Sequence, residues 1–179
     1  GQRFGLAGRA LECIHTPGHA MHHQCIVDPA HAVAFTGDTF GLSYREFDVD
    51  GRALVIPTTT PTQFDPDQLV ASIRRIAALK PDALYLTHYS RVTDIPRLAA
   101  ELERQLAVIV TATRAAAAAS GDDRVECKRR IVAAMSELWI RTARDHGVKI
   151  GDAAILSMLE LDLELNADGL LAWLDRAKR

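Results

Sequence analysis

The 179-residue chain has seven histidines, and four of them, His15, His19, His22 and His23, crowd into one short stretch. Imidazole ligates metals and moves protons near neutral pH, so this crowding points to one of those two uses. Three segments carry the side chains best suited to such chemistry: His15-Thr16-Pro17-Gly18-His19, Phe35-Thr36-Gly37-Asp38-Thr39 and Leu86-Thr87-His88-Tyr89. Each sets a metal-capable side chain just past a short apolar run. Imidazole suits zinc or iron, and a carboxylate between two cations can bridge them and offset their charge.

The elements that would position these residues are short. Ala10–His15, Gln24–Asp28, Ala32–Thr36 and Ala83–Thr87 read as strands, because their apolar runs are brief and flanked by Gly or Pro. Ala53–Ile56 is a further candidate strand. Asp65-Pro66 reads as an N-cap and first helical residue, and Leu69, Ile73, Ile76 and Leu79 follow at helical spacing. Ligands at strand ends sit on a rigid frame while the following loop shapes a pocket. Strand, helix, strand is α/β logic.

A compositional break falls near Asp94-Ile95-Pro96, dividing the chain into residues 1–93 and 94–179. The second part is rich in Ala, Leu, Arg and Glu and reads as helices over Pro96–Ala119, Val125–Asp145, Ala153–Leu165 and Ala167–Ala177. The last two are separated near Asn166, and His146-Gly147 forms a C-cap. Leu98, Leu102, Leu106 and Ile109, then Ile131, Met135, Leu138 and Trp139, form apolar stripes that must be covered. Leu161-Asp162-Leu163-Glu164-Leu165 alternates like a strand, but its context favours a helix. This tail shows no catalytic constellation, and His146 is expected to be exposed.

The order TPGH, TGD, TH at these spacings resembles the metallo-β-lactamase-fold hydrolase superfamily. The resemblance covers about residues 10–93 and implies an αββα sandwich with a metal site at the rim between two sheets. It implies that His19 ligates a first metal, that His88 ligates a second, and that Asp38 bridges both and orients the attacking nucleophile. Two divalent metal ions would activate a water for attack on an ester or thioester, as in glyoxalase-II-like members. The metal is expected to be zinc, with iron or manganese as alternatives. The superfamily's HxHxDH motif has no counterpart among the residues before His19. The expectation is therefore the C-terminal half of the sandwich followed by an all-helical extension, a metallo-hydrolase inactive as this isolated portion.

Other residues near the motifs have weaker claims. His22 and His23 are candidates for supporting a ligand or touching substrate. Neighbours in a strand alternate faces, so at most one of them should face the metals. Tyr44, Arg45 and Tyr89 lie near the motif loops and are candidates for substrate contact, with surface or packing roles as the competing reading. Cys13 and Cys25 read as small buried residues of adjacent strands.

Composition excludes several function classes. Lys+Arg is 21 and Asp+Glu is 23, a net charge of −2 that lacks the basic footprint of a nucleic-acid binder. No apolar run approaches the roughly 20 residues that span a bilayer. Three cysteines without CxxC spacing fit a reducing cytoplasm better than a disulfide framework. The expected partner is a small-molecule substrate, with a homodimer through the helical tail as a further option. The rival readings are a non-catalytic metal-binding fragment and a helical dimerisation or interaction module.

Overall fold

The structure, a computed structural model, describes residues 1–59, 63–88 and 90–177. Among them are six strands and four α-helices. The strands are β1 (Gln2–Leu6), β2 (Arg9–His15), β3 (Gln24–Asp28), β4 (Val33–Gly37), β5 (Ala83–Leu86) and β6 (Ser90–Val92). The helices are α1 (Pro66–Ala78), α2 (Ile95–Ser120), α3 (Arg124–His146) and α4 (Asp152–Ala177). The fold is α/β with a helical C-terminal part. No described helix is long and apolar enough to cross a membrane.

The strands form one sheet in sequence order. All neighbours pair antiparallel except β4 and β5, which pair parallel and are joined through α1. β1 and β2 turn on Ala7-Gly8, both at positive φ, as a two-residue hairpin requires. The pairing also fixes where the motifs go. β2 and β4 each lie antiparallel to β3, and β5 runs parallel to β4, so β2, β4 and β5 share one direction. The loops that follow them, carrying His19, Asp38 and His88, therefore leave the same edge of the sheet.

One sheet face is core. Ile14, Cys25, Ala34, Leu84 and Val92 are buried and join Leu69, Ile73 and Ile76 of α1 and Leu98, Leu102 and Leu106 of α2 in one apolar cluster. That cluster continues through Ile131, Met135, Leu138 and Trp139 of α3 to Leu170 of α4. The stripes expected to need cover are thus covered within the chain. On the other face Phe35 and Tyr85 stack with ring centroids 5.1 Å apart and stay exposed at 41% and 37%.

Helix boundaries follow local chemistry. The Asp65 carboxylate accepts from Gln68 N–H at 2.9 Å, and the Asp123 carboxylate from Glu126 N–H at 2.9 Å. Gly147, at φ +102°, closes α3 by donating to Ala143 O and Arg144 O.

Four expectations need correction. α4 runs unbroken through Asn166, whose side chain is engaged in tertiary hydrogen bonds rather than in ending the helix. Ala53–Ile56 is not a strand; Ile56 makes only an isolated bridge with Leu42. His146 is buried, with Nε2 3.0 Å from Arg52 O. Cys13 is only partly buried and donates to Gln24 Oε1 at 2.8 Å, whereas Cys25 is buried as expected.

Candidate metal centre

The TPGH loop sits directly on α1. Ser72 Oγ donates to Pro17 O at 2.6 Å, and Asp65 N–H donates to Gly18 O at 2.7 Å. A Cβ at Gly18 would lie 2.2 Å from Leu69 N, at a backbone φ of +129°, so only glycine allows this approach. The loop thereby delivers His19 to the sheet edge as a largely buried side chain.

Asp38 lies between two imidazoles. His19 Nε2 is 3.5 Å from Asp38 Oδ2, and His88 Nε2 is 3.3 Å from Asp38 Oδ1. Among the described residues the buried Asp38 Oδ1 makes no hydrogen bond despite the nearby His88 nitrogen, so proximity without alignment describes that contact.

The hydrogen bonds assign the protons on His19. Thr58 Oγ1 donates its one proton to Asp38 O at 2.8 Å and must therefore accept from His19 Nδ1–H at 3.1 Å. Burial holds the His19 pKa below the ordinary imidazole value, opposed by the Asp38 carboxylate, so the ring is neutral. A neutral ring protonated at Nδ1 presents the Nε2 lone pair to a carboxylate oxygen. Two electron-pair donors face one another, an arrangement that a cation between them would make favourable.

His23 supports the same aspartate from beneath. Its Nε2 accepts from Asp38 N–H at 3.0 Å, so Nδ1 carries the proton and meets Thr39 Oγ1 at 2.8 Å and Thr16 Oγ1 at 3.0 Å. Burial, followed by the neighbouring His19, lowers the His23 pKa. The ring packs edge-on to His19 at 5.7 Å between centroids. Gly37 makes room for it: a Cβ there would lie 2.5 Å from His23 Nε2. His22 is exposed, and His15 turns away to place Nε2 2.6 Å from Met21 O.

The remaining candidates are dispersed. Tyr44 OH donates to Asp162 Oδ2 at 2.6 Å, and the Asp162 carboxyl, whose pKa burial raises, lies within electrostatic reach of His88. Arg45 is engaged with Asp48 Oδ2 at 2.6 Å and Arg91 O at 3.1 Å. Tyr89 lies outside the described residues. Sequence reasoning missed Thr58, Asp162 and Asn166, which no local motif marks. The tail expected to lack site chemistry contributes two of these.

As a test of fit, the donor set of imidazoles and a carboxylate suits a divalent metal; Asp38 Oδ1, without a hydrogen bond among the described residues, and the facing His19 lone pair point the same way. The number of donors is small. Among the described residues no group of three or more His, Cys, Asp or Glu is gathered so that it could hold a metal ion.

Residues 1–88 match the sequence profile of the metallo-beta-lactamase superfamily. Over that stretch, just under half of its length, the chain is similar to this superfamily. Among curated proteins it is similar to the metallo-beta-lactamase fold-containing protein ST1585 of Sulfurisphaera tokodaii, 31% identical over 105 residues, 59% of this chain and 36% of that one. It is also similar to the lactamase-like protein vrtG of Penicillium aethiopicum, 29% identical over 96 residues, 54% of this chain and 26% of that one. The crystal structure of ST1585 aligns with a TM-score of 0.54 and 25% identity, covering 94% of this chain and 48% of its own. The metallo-beta-lactamase family protein TTHA1429 from Thermus thermophilus, at 17% identity, shares the fold with a TM-score of 0.57 over 99% of this chain and 48% of its own. The chain thus spans about a third or less of these curated relatives and about half of the solved structures.

Proposed function

We propose that this chain supplies one side of the metal centre of a hydrolase acting on ester or thioester substrates. His19, Asp38 and His88 would hold the metal, with Asp38 shared between two ions. The observation that carries this reading is the convergence of two imidazoles on one carboxylate, with a neutral His19 turning its lone pair toward it. Similarity to the superfamily supports hydrolytic chemistry.

A bound divalent metal supplies Lewis acidity toward a water and a substrate oxygen. The chain's own residues prepare for this. Thr58 fixes the His19 tautomer, His23 anchors Asp38 through its backbone N–H, and Gly37 lets the two approach. Asp38 would orient the attacking water by accepting a hydrogen bond from its O–H. Three ligands shared between two positions are too few for tight retention, so the chain by itself is expected to bind metal weakly and to lack turnover.

Dialysis of the chain against zinc, followed by elemental analysis, tests the metal reading. Weak, substoichiometric zinc that falls further in His19→Ala and Asp38→Ala is expected; zinc uptake indifferent to both substitutions overturns it. The hydrolytic reading is tested by joining the chain to an HxHxDH-bearing segment and assaying thioesters, lactones and phosphodiesters with and without chelator. Asp38→Ala should cost more than the roughly 10–100-fold typical of residues that only support a ligand. Chelator-insensitive turnover, or an Asp38→Ala protein as active as its parent, would refute the mechanism.

A further inference from the structure

Helix α4 reaches both sides of the site from far along the chain. Asn166 is fully buried in the middle of that helix, where a polar residue needs a reason. Its Oδ1 accepts from Thr59 N–H and, at 2.8 Å, from Thr59 Oγ1–H. Its Nδ2 donates to Asp162 O at 2.7 Å, so both ends of the amide are used. Thr59 is bonded to Thr58, the residue that fixes the His19 ring and grips the Asp38 carbonyl. One helical turn earlier, Asp162 takes the Tyr44 hydroxyl, and the adjacent Ser43 N–H donates to His88 O at 3.4 Å. Residues four apart share a helix face, so a single face of α4 holds the segment behind His19 and the segment behind His88.

We propose that Asn166 and Asp162 are positioning residues for the His19–Asp38–His88 site, with α4 acting as the brace that sets the two histidine rings relative to the shared carboxylate. The meaning of this brace for function rests on the metal reading above. Its effect on the His19 ring does not, because the Thr58 hydrogen bond exists in the metal-free chain.

The test uses the whole chain without metal, then with cobalt(II) as probe. Long-range nitrogen–proton NMR of the imidazoles reads each tautomer directly. The parent should show His19 as a single species protonated at Nδ1. Asn166→Ala should convert it to a mixture of tautomers while His31, in the turn just after β3, keeps its parent spectrum. Thr59→Val keeps the volume but removes the hydroxyl that meets Asn166, so it should shift His19 the same way even if Asn166→Ala fails to fold. Tyr44→Phe should move the His88 resonances and leave His19 alone. Cobalt affinity should drop about 10–100-fold in Asn166→Ala or Thr59→Val, the range seen when a ligand loses its support.

The two readings fail differently. If His19→Ala leaves cobalt binding unchanged, the metal reading falls while the tautomer result still measures the brace. If folded Asn166→Ala and Thr59→Val proteins both keep the parent His19 tautomer, the brace is refuted; where His19→Ala does weaken cobalt binding, parent-like cobalt affinity in both refutes it equally.

Discussion

Gly37→Ala gives a sharp test of how Asp38 is held. The residue sits at φ +53°, where an alanine costs about 1–2 kcal/mol for the left-handed backbone alone. The added Cβ would also lie 2.5 Å from His23 Nε2 and 2.7 Å from Cε1. That ring cannot slide aside freely, since Nε2 accepts from Asp38 N–H and Nδ1 meets Thr39 and Thr16. Expelling it forfeits those hydrogen bonds and leaves the Asp38 N–H seeking water, a loss of about 1–3 kcal/mol. The single substitution should therefore destabilise the metal-free chain by about 2–5 kcal/mol.

His23→Ala should cost about 1–3 kcal/mol by the same lost bonds. In the double variant the clash is gone and the hydrogen bonds are lost only once. It should be no less stable than Gly37→Ala alone, giving a favourable coupling of about 1–3 kcal/mol. Urea unfolding of all four proteins in chelator measures the cycle. Distant, independent sites add to within about 0.3–0.5 kcal/mol, so additivity at that level would refute the claim that Gly37 exists to admit the His23 ring.

Three further outcomes can be checked with simple assays. In the metal-free chain His19 and His23 have pKa values lowered by burial, so the unfolded chain takes up protons first; stability should fall as pH drops below about 6.5, and His23→Gln should flatten that fall in urea midpoints. Burial pushes the Cys25 thiol up to about 11, so iodoacetamide at mildly alkaline pH should label the partly exposed Cys13 well before Cys25, and equal rates by peptide mass mapping would contradict the packing of β3. The exposed Phe35–Tyr85 stack should drive weak self-association in sedimentation velocity, and Phe35→Ser with Tyr85→Ser should reduce it; an unchanged distribution would exonerate that face.

The ligand candidates were legible because each closes a strand, and strand direction does the rest. His19, Asp38 and His88 lie 19 and 50 positions apart in the chain. They meet because β2, β4 and β5 point the same way, which follows once the β4–α1–β5 crossover is read as parallel. Strand alternation would let only one of His22 and His23 turn inward if a strand began there. Both precede β3, so alternation does not decide it; the structure packs His23 against Asp38 and leaves His22 exposed.

The supports were illegible for the opposite reason. Thr59 and Asn166 meet across 107 positions, and Tyr44 and Asp162 across 118, so no window of sequence contains both partners. Within its own window Asn166 looked like a break, because a short amide side chain competes with helical backbone when it is free to do so. Here it is not free: Oδ1 is taken by Thr59 and Nδ2 by Asp162 O, so the competing conformations lose their hydrogen bonds and the helix continues. His146 misled in the same manner. Its place at the end of α3 suggests an exposed residue near the helix C-terminus, but Arg52 O draws the ring inward. Local chemistry thus locates the groups able to bind a metal, while long-range hydrogen bonds decide which of their nitrogens face it. The His19 lone pair points at Asp38 only because Thr58 has given its proton to the Asp38 carbonyl.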